Sequence, residues 1–312
     1  LTSRFIIYSY ASGDLRRDLP LINELERSLA DGKSSLTARL NLSVDIARSL
    51  FFLGEWTLAK ERIVGVAMAA AASNDVSARV RLKLAMVSGL VDKAIGQNAE
   101  AVVNLREAER LAAADDSVPK IQRIRLAVER IEAEAFASPS PALRDEIERL
   151  VADADSWGGE GNGEGIFAAQ VRGRVLLALG DKPRAESQFR DVIEAIRLFY
   201  GDALEAQQLK GPAAALAELQ LADGRPEAAL TTIDEVLAAA IGEEQSQHPD
   251  IKHLRLIRAE ALARLEPDGS RLQAAIAELG DSFGSLPATH RLNDRLRELR
   301  RISPTREFAS SP

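Results

Sequence analysis

The sequence holds no cysteine, only two methionines and two tryptophans, and aromatic residues make up 4% of its 312 positions. Without cysteine there is neither a disulfide framework nor a thiolate nucleophile, which fits a reducing compartment and favours a cytoplasmic location. Histidine is almost as scarce: His248, His253 and His290 fall at none of the spacings that place two imidazoles on one metal, so no metal site is expected. A phosphate-binding loop of the form G-x-x-x-x-G-K-[ST] and a nucleophile turn of the form G-x-S-x-G are both missing. Carboxylates such as Glu129, Glu132 and Glu134 are abundant, yet none stands out as half of an acid–base pair. The expectation is a protein that is not an enzyme and carries no cofactor. No apolar run approaches the ~20 residues that cross a bilayer, and the stretch "RFIIYSY" near the start is far too short, so no membrane insertion is expected. Forty basic and 47 acidic residues leave a net charge of −7, too balanced for a nucleic-acid-binding stripe, and no nucleic-acid partner is expected.

What is present is helix-forming. Hydrophobic residues are 46% of the chain and Ala, Leu, Arg and Glu dominate, while alternating β-branched or aromatic stretches are scarce. Short breaks separate amphipathic runs at Gly13, Gly54, Gly96, Ser138, Gly180, Gly224 and near Asp268, a recurrence every 41 to 44 residues that an irregular fold would not produce. Each break has a physical reason. Glycine ends a first helix because it adopts the left-handed conformation without steric cost, and polar residues or proline, as at Pro183 and Pro226, then start a second helix. Five residues after the glycine an alanine recurs, at Ala59, Ala101, Ala185 and Ala229, followed four residues later by Ile63, Leu105, Phe189 or Ile233. Seven residues before the turn the first helix has its own small position, at Ala47, Gly89, Gly173 and Ala217. Small residues at fixed registers on both partners predict closely crossed helices.

This arrangement resembles the tetratricopeptide repeat over nearly the whole chain. The period exceeds the family's ~34 residues, so helices or links must be longer. The segment "EEQSQHPDIKHLRLIRAEALARL", with His248-Pro249-Asp250 ahead of a first helix, is similar to the longer variant of kinesin light chains and of many bacterial regulatory proteins. The resemblance implies an all-α, right-handed superhelical solenoid of about seven helix-turn-helix units. The fourth unit departs, since "FASPSPALRDEI" has neither glycine nor alanine at the repeat positions. The expected organisation is four units over residues 1–157, a glycine-rich link over 158–165, three units and a capping helix over 166–302, and a disordered tail over 303–312. Within the cap, Leu292, Leu296 and Leu299 share one face.

In such solenoids the first helices line a concave side that holds peptides or helices. Projecting the repeat register places Asn41, Arg48, Phe52, Lys83, Met86, Leu90, Glu129, Glu132, Gln170 and Arg174 on that side. Arg48, Lys83 and Arg174 would present cations to a ligand carboxylate, with Glu129 and Glu132 binding a basic ligand residue or holding those cations. The arrangement of Lys and Asn one turn apart that clamps a terminal carboxylate in some repeats is absent, because Val44 and Arg48 stand there. The resemblance and the start at Leu1 imply a protein-interaction module for a peptide or protein segment, the sensor or regulatory part of a longer bacterial protein. A structural scaffold that forms homo-oligomers is the alternative.

Overall fold

A computed structural model of the chain describes residues 34–158, 162–200, 202–239, 248–267, 269–280 and 286–302, together with positions 20, 24, 27, 283 and 284. The first expected unit, around Gly13, and the tail 303–312 lie outside them. Among the described residues there is no strand. The helices are α1 (Leu36–Phe52), α2 (Trp56–Ala71), α3 (Ala78–Ala94), α4 (Asn98–Ala113), α5 (Lys120–Ala137), α6 (Ala142–Gly158), α7 (Gly163–Ala178), α8 (Lys182–Phe199), α9 (Asp202–Ala222), α10 (Pro226–Ala239), α11 (Pro249–Leu265), α12 (Ser270–Leu279) and α13 (Arg291–Ile302). Up to α12 they pair in order as hairpins, and most are 16 to 18 residues long, which accounts for the long period.

Four turns share one geometry. Gly54, Gly96, Gly180 and Gly224 all have positive φ, between 73° and 83°. In the first, Gly54 N–H donates to Phe51 O at 3.0 Å and Glu55 N–H reaches back to Leu50 O at 2.9 Å, and the same pair of bonds closes the other three. These bonds satisfy carbonyls that the helix end leaves unpaired. The second helices α2, α4 and α8 leave these turns without any side-chain cap. Four first helices start differently, from side-chain caps: Ser35 Oγ accepts from Ala38 N–H, Ser77 Oγ from Val80 N–H, Asn162 Oδ1 from Glu164 and Gly165 N–H, and His248 Nδ1 from Asp250 N–H.

Ala59, Ala101, Ala185 and Ala229 are all fully buried. Bulk is matched across each crossing. A Cβ built on Gly89 would sit 2.5 Å from Leu105 Cγ, and one on Gly173 2.7 Å from the Phe189 ring, so glycine stands opposite these two side chains. Where the partner is Ile63 or Ile233, alanine fits, as Ala47 and Ala217.

The fourth hairpin lacks these devices. Ile131 occupies the small position of α5 and Leu143 that of α6, both buried, and Ser138, with negative φ, replaces the turn glycine. With branched side chains in place of the small pair, the α5 and α6 backbones approach less closely than those of α3 and α4.

The backbone forms two compact units, 1–157 and 158–312, each with its own apolar clusters. The stretch expected as a link is shorter than the sequence suggested: Gly158 ends α6, and Gly163 to Gly165 form the first turn of α7. Glycine tolerates that turn because the Asn162 cap supplies two of its hydrogen bonds. In the second unit α13 buries Leu292, Leu296 and Leu299 and packs on α11.

Candidate functional site

In the first unit, α1 and α3 bring three of the sequence-projected residues to one place. Lys83 Nζ donates to Asn41 Oδ1 at 2.9 Å and to both Asp45 carboxylate oxygens at 2.9 and 3.0 Å. Lys83 is thus engaged by two neighbours, with the Asp45 carboxylate matching its charge. Asp45, which the projection omitted, is buried at the centre, and Ser49 Oγ donates to its carbonyl. Arg48, one turn on from Asp45, is treated differently. Its Nη2 lies 3.9 Å from Asp45 Oδ1, beyond hydrogen-bond range, and its buried Nε donates to no described group. The Lys83 and Asp45 charges cancel, and the Arg48 charge remains. The expectation that Lys83 offers a cation to a ligand is therefore corrected.

Around these polar groups lie partly buried apolar side chains. Phe52, one turn beyond Arg48, meets Phe51 edge to face at 5.3 Å between ring centres, and both pack on the first-unit core. Met86 touches that core and its neighbour, and Leu90 is partly buried.

Glu129 and Glu132 are not on a solvated face. Glu132 is 1% exposed, Glu129 is also buried, and both accept from Lys93 of α3. They hold Lys93 rather than Arg48 or Lys83. The partner of this pair was missed because a lysine near a helix end reads as solvated. A further buried acid, Asp92, accepts from Lys60 of α2 and from Asn104 Nδ2 of α4 at 2.8 Å. One signal for these acids was available. Asp45 and Glu129 stand nine residues before their turns, a register that Val87, Val171 and Ala215 fill in other hairpins, all buried. A carboxylate at a core register implies a buried partner.

In the second unit, Gln170 and Arg174 lie over the bare backbone of α9. A Cβ on Gly211 would come within 2.5 Å of Gln170 Nε2 and 3.1 Å of Arg174 Nη2. Further along, α9, α11 and α13 are joined by four charged or polar groups absent from the projection. Arg295 of α13 bonds Glu260 through both fork nitrogens at 2.9 and 2.7 Å, and it also donates to Glu218 of α9. His253 Nε2 lies 2.9 Å from the same Glu218 oxygen. Burial by itself would raise the Glu218 pKa; the hydrogen bond to His253 and the charges of His253 and Arg295 outweigh it and hold the carboxyl well below its usual range. His290 is pushed down to about 4 by burial, with Arg291 adding to the shift.

Repeated hairpins with glycine turns and alanine crossings, followed by the leucine-faced α13, define an all-α helical-repeat fold that is tetratricopeptide-like. Solved structures agree on the fold. The chain is similar to a Rap protein complexed with Competence and Sporulation Factor, with a TM-score of 0.64 and 11% identity over 96% of this chain and 78% of that one. It is similar to NprR in complex with its cognate peptide NprX, at TM-score 0.59 and 11% identity over 95% of this chain and 80% of that one. A tetratricopeptide repeat protein from Parabacteroides merdae matches at TM-score 0.53 and 10% identity over 96% of both chains. No family model and no curated protein sequence matches the chain. Among the described residues, no helix is long and apolar enough to cross a membrane.

Proposed function

We propose that the chain is a non-enzymatic interaction module that holds an extended peptide or protein segment across the first helices of its N-terminal unit, as the regulatory part of a larger bacterial system. The observation that carries this reading is the orientation of Asn41. Lys83 donates to its Oδ1, which fixes the amide the right way round, and its Nδ2 has no acceptor among the described residues. An immobilised amide with two spare donors suits the carbonyls of an extended chain, and the half-buried Met86 on α3 and Phe52, three turns further along α1, suit apolar ligand side chains. The solved Rap and NprR structures, which hold Competence and Sporulation Factor and the peptide NprX, support the same use of the fold.

The test is selection of short random peptides on the purified chain, followed by fluorescence anisotropy of the binders. Asn41→Ala is expected to weaken them about tenfold while leaving the fold intact by circular dichroism. If no peptide is selected, or if Asn41→Ala binds all of them unchanged, the reading fails. The scaffold alternative has one observation in its favour: Leu58, Val64 and Met68 of α2 are 50%, 44% and 70% exposed on an outward face. A dimer in light scattering that Met68→Lys dissolves would favour it.

A further inference from the structure

We propose that Arg48 is the anion anchor of this face and takes a carboxylate carried by the bound peptide; the proposal rests on the peptide-binding reading above. The sequence treats Arg48 and Lys83 as equivalent cations, and the structure separates them. Lys83 donates to Asn41 and to both Asp45 oxygens, and the charge of Lys83 is matched by Asp45. Arg48 makes no hydrogen bond to any described group, although its side chain is only 18% exposed and its Nε is buried. Buried donors are ordinarily satisfied. Among the described residues the carboxylate beside Arg48 is that of Asp45, whose two oxygens accept from Lys83 and which sits 3.9 Å away. A second carboxylate would meet the planar guanidinium with two oxygens at once, neutralise the one uncancelled charge of the cluster, and do so where partial enclosure weakens solvent screening.

Position narrows the ligand further. Arg48 lies two turns along α1 from Asn41 and one turn from Phe52, so one extended segment can place a backbone carbonyl at Asn41 Nδ2 and a carboxylate at Arg48. The carboxylate is supplied either by the free end of the peptide or by an Asp or Glu side chain. The chemistry at Arg48 is the same for both.

To test this, binders from the peptide selection are remade in four forms: unchanged, with a C-terminal amide, with Asp and Glu replaced by Asn and Gln, and with both changes. Anisotropy on the wild-type chain is expected to show a loss of about tenfold or more for the doubly neutral form. The two single changes then tell which carboxylate is used. Arg48→Gln should weaken the acidic form by a similar factor and leave the doubly neutral form where it is, while Arg48→Lys restores part of the loss. Wild-type protein that binds acidic and neutral forms equally would overturn the proposal and leave peptide binding standing, and so would an Arg48→Gln variant that still prefers the acidic form. Failure to select any peptide sinks both. Should Arg48→Gln not fold, the comparison of peptide forms on the wild type decides alone.

Discussion

At the scale of single residues, glycine does two opposite things on neighbouring helices. Gly89 and Gly173 are places where a side chain has no room, because Leu105 and Phe189 already fill the space. Gly65, in the middle of α2, has nothing within 4 Å of where its Cβ would be. Gly173→Ala is therefore expected to overpack the α7–α8 crossing and cost about 1–3 kcal/mol. Gly65→Ala should instead stabilise by about 0.5–1 kcal/mol, since alanine removes the entropy penalty of a mid-helix glycine and meets no obstacle. Urea unfolding of both variants checks the pair, and equal effects would refute the close-crossing account. The Gly173 contact was legible in the sequence because a small residue recurs at one register in four repeats. Asp45 was not, and neither was the difference between Arg48 and Lys83. Which of two nearby cations a buried acid chooses depends on where side chains reach across α1 and α3, and residue spacing does not record that.

At the scale of elements, buried charges do the linking that apolar residues do elsewhere. Helix α3 is tied to α1 through Lys83 and to α5 through Lys93, so removing either lysine leaves a buried carboxylate without its cation. Lys93→Met should destabilise by about 3–5 kcal/mol, the cost of an uncompensated buried charge. Exchanging all three partners together, Lys93→Met with Glu129→Leu and Glu132→Leu, should recover most of that loss. Thermal or denaturant melts of the two variants test whether the pair, rather than the bulk of the lysine, is what matters.

Acid acts on α9, α11 and α13 through two groups with the same sign. The Glu218 carboxyl titrates lower in the folded chain than its ordinary value of 4.5, so its stabilising effect is complete above that pH and fades as pH falls below it. His290, at about 4 when folded against 6.5 unfolded, stays neutral while the unfolded chain takes up a proton, so stability falls as pH drops from 6.5 toward 4. His290→Asn should flatten that upper window, and asparagine can still cap α13, where Leu292 N–H now donates to His290 Nδ1. Urea midpoints measured between pH 7 and pH 4 on both proteins give the answer; parallel curves would assign the acid sensitivity to other groups. None of this linkage was readable from the chain, because Arg295 and Glu218 are 77 positions apart.

At the scale of the whole molecule, the even spacing of turns identified the repeat architecture, and α5 with α6, a hairpin that keeps the spacing but lacks the glycine and the alanine, ends where the first compact unit ends. Fragments Leu1–Trp157 and Gly158–Pro312 each contain their own apolar clusters, and each is expected to give a helical circular dichroism spectrum and a cooperative melt when expressed alone. A fragment that stays unfolded would mean its hairpins depend on the other half. The link over 158–165 was misjudged because glycine content was weighed without the asparagine that caps the next helix. One feature of the second unit also constrains how such a chain can lengthen. Arg295 bonds Glu260 on the neighbouring first helix and Glu218 on the one before it, so the terminal helix grips two hairpins at once. A duplicated hairpin inserted after α10 or after α12 would part Arg295 from Glu218 and strand a carboxylate, whereas duplication ahead of α9 leaves all three helices in register. Repeat gain and loss in descendants of this sequence should accordingly fall upstream of α9, with α9 to α13 inherited as a block.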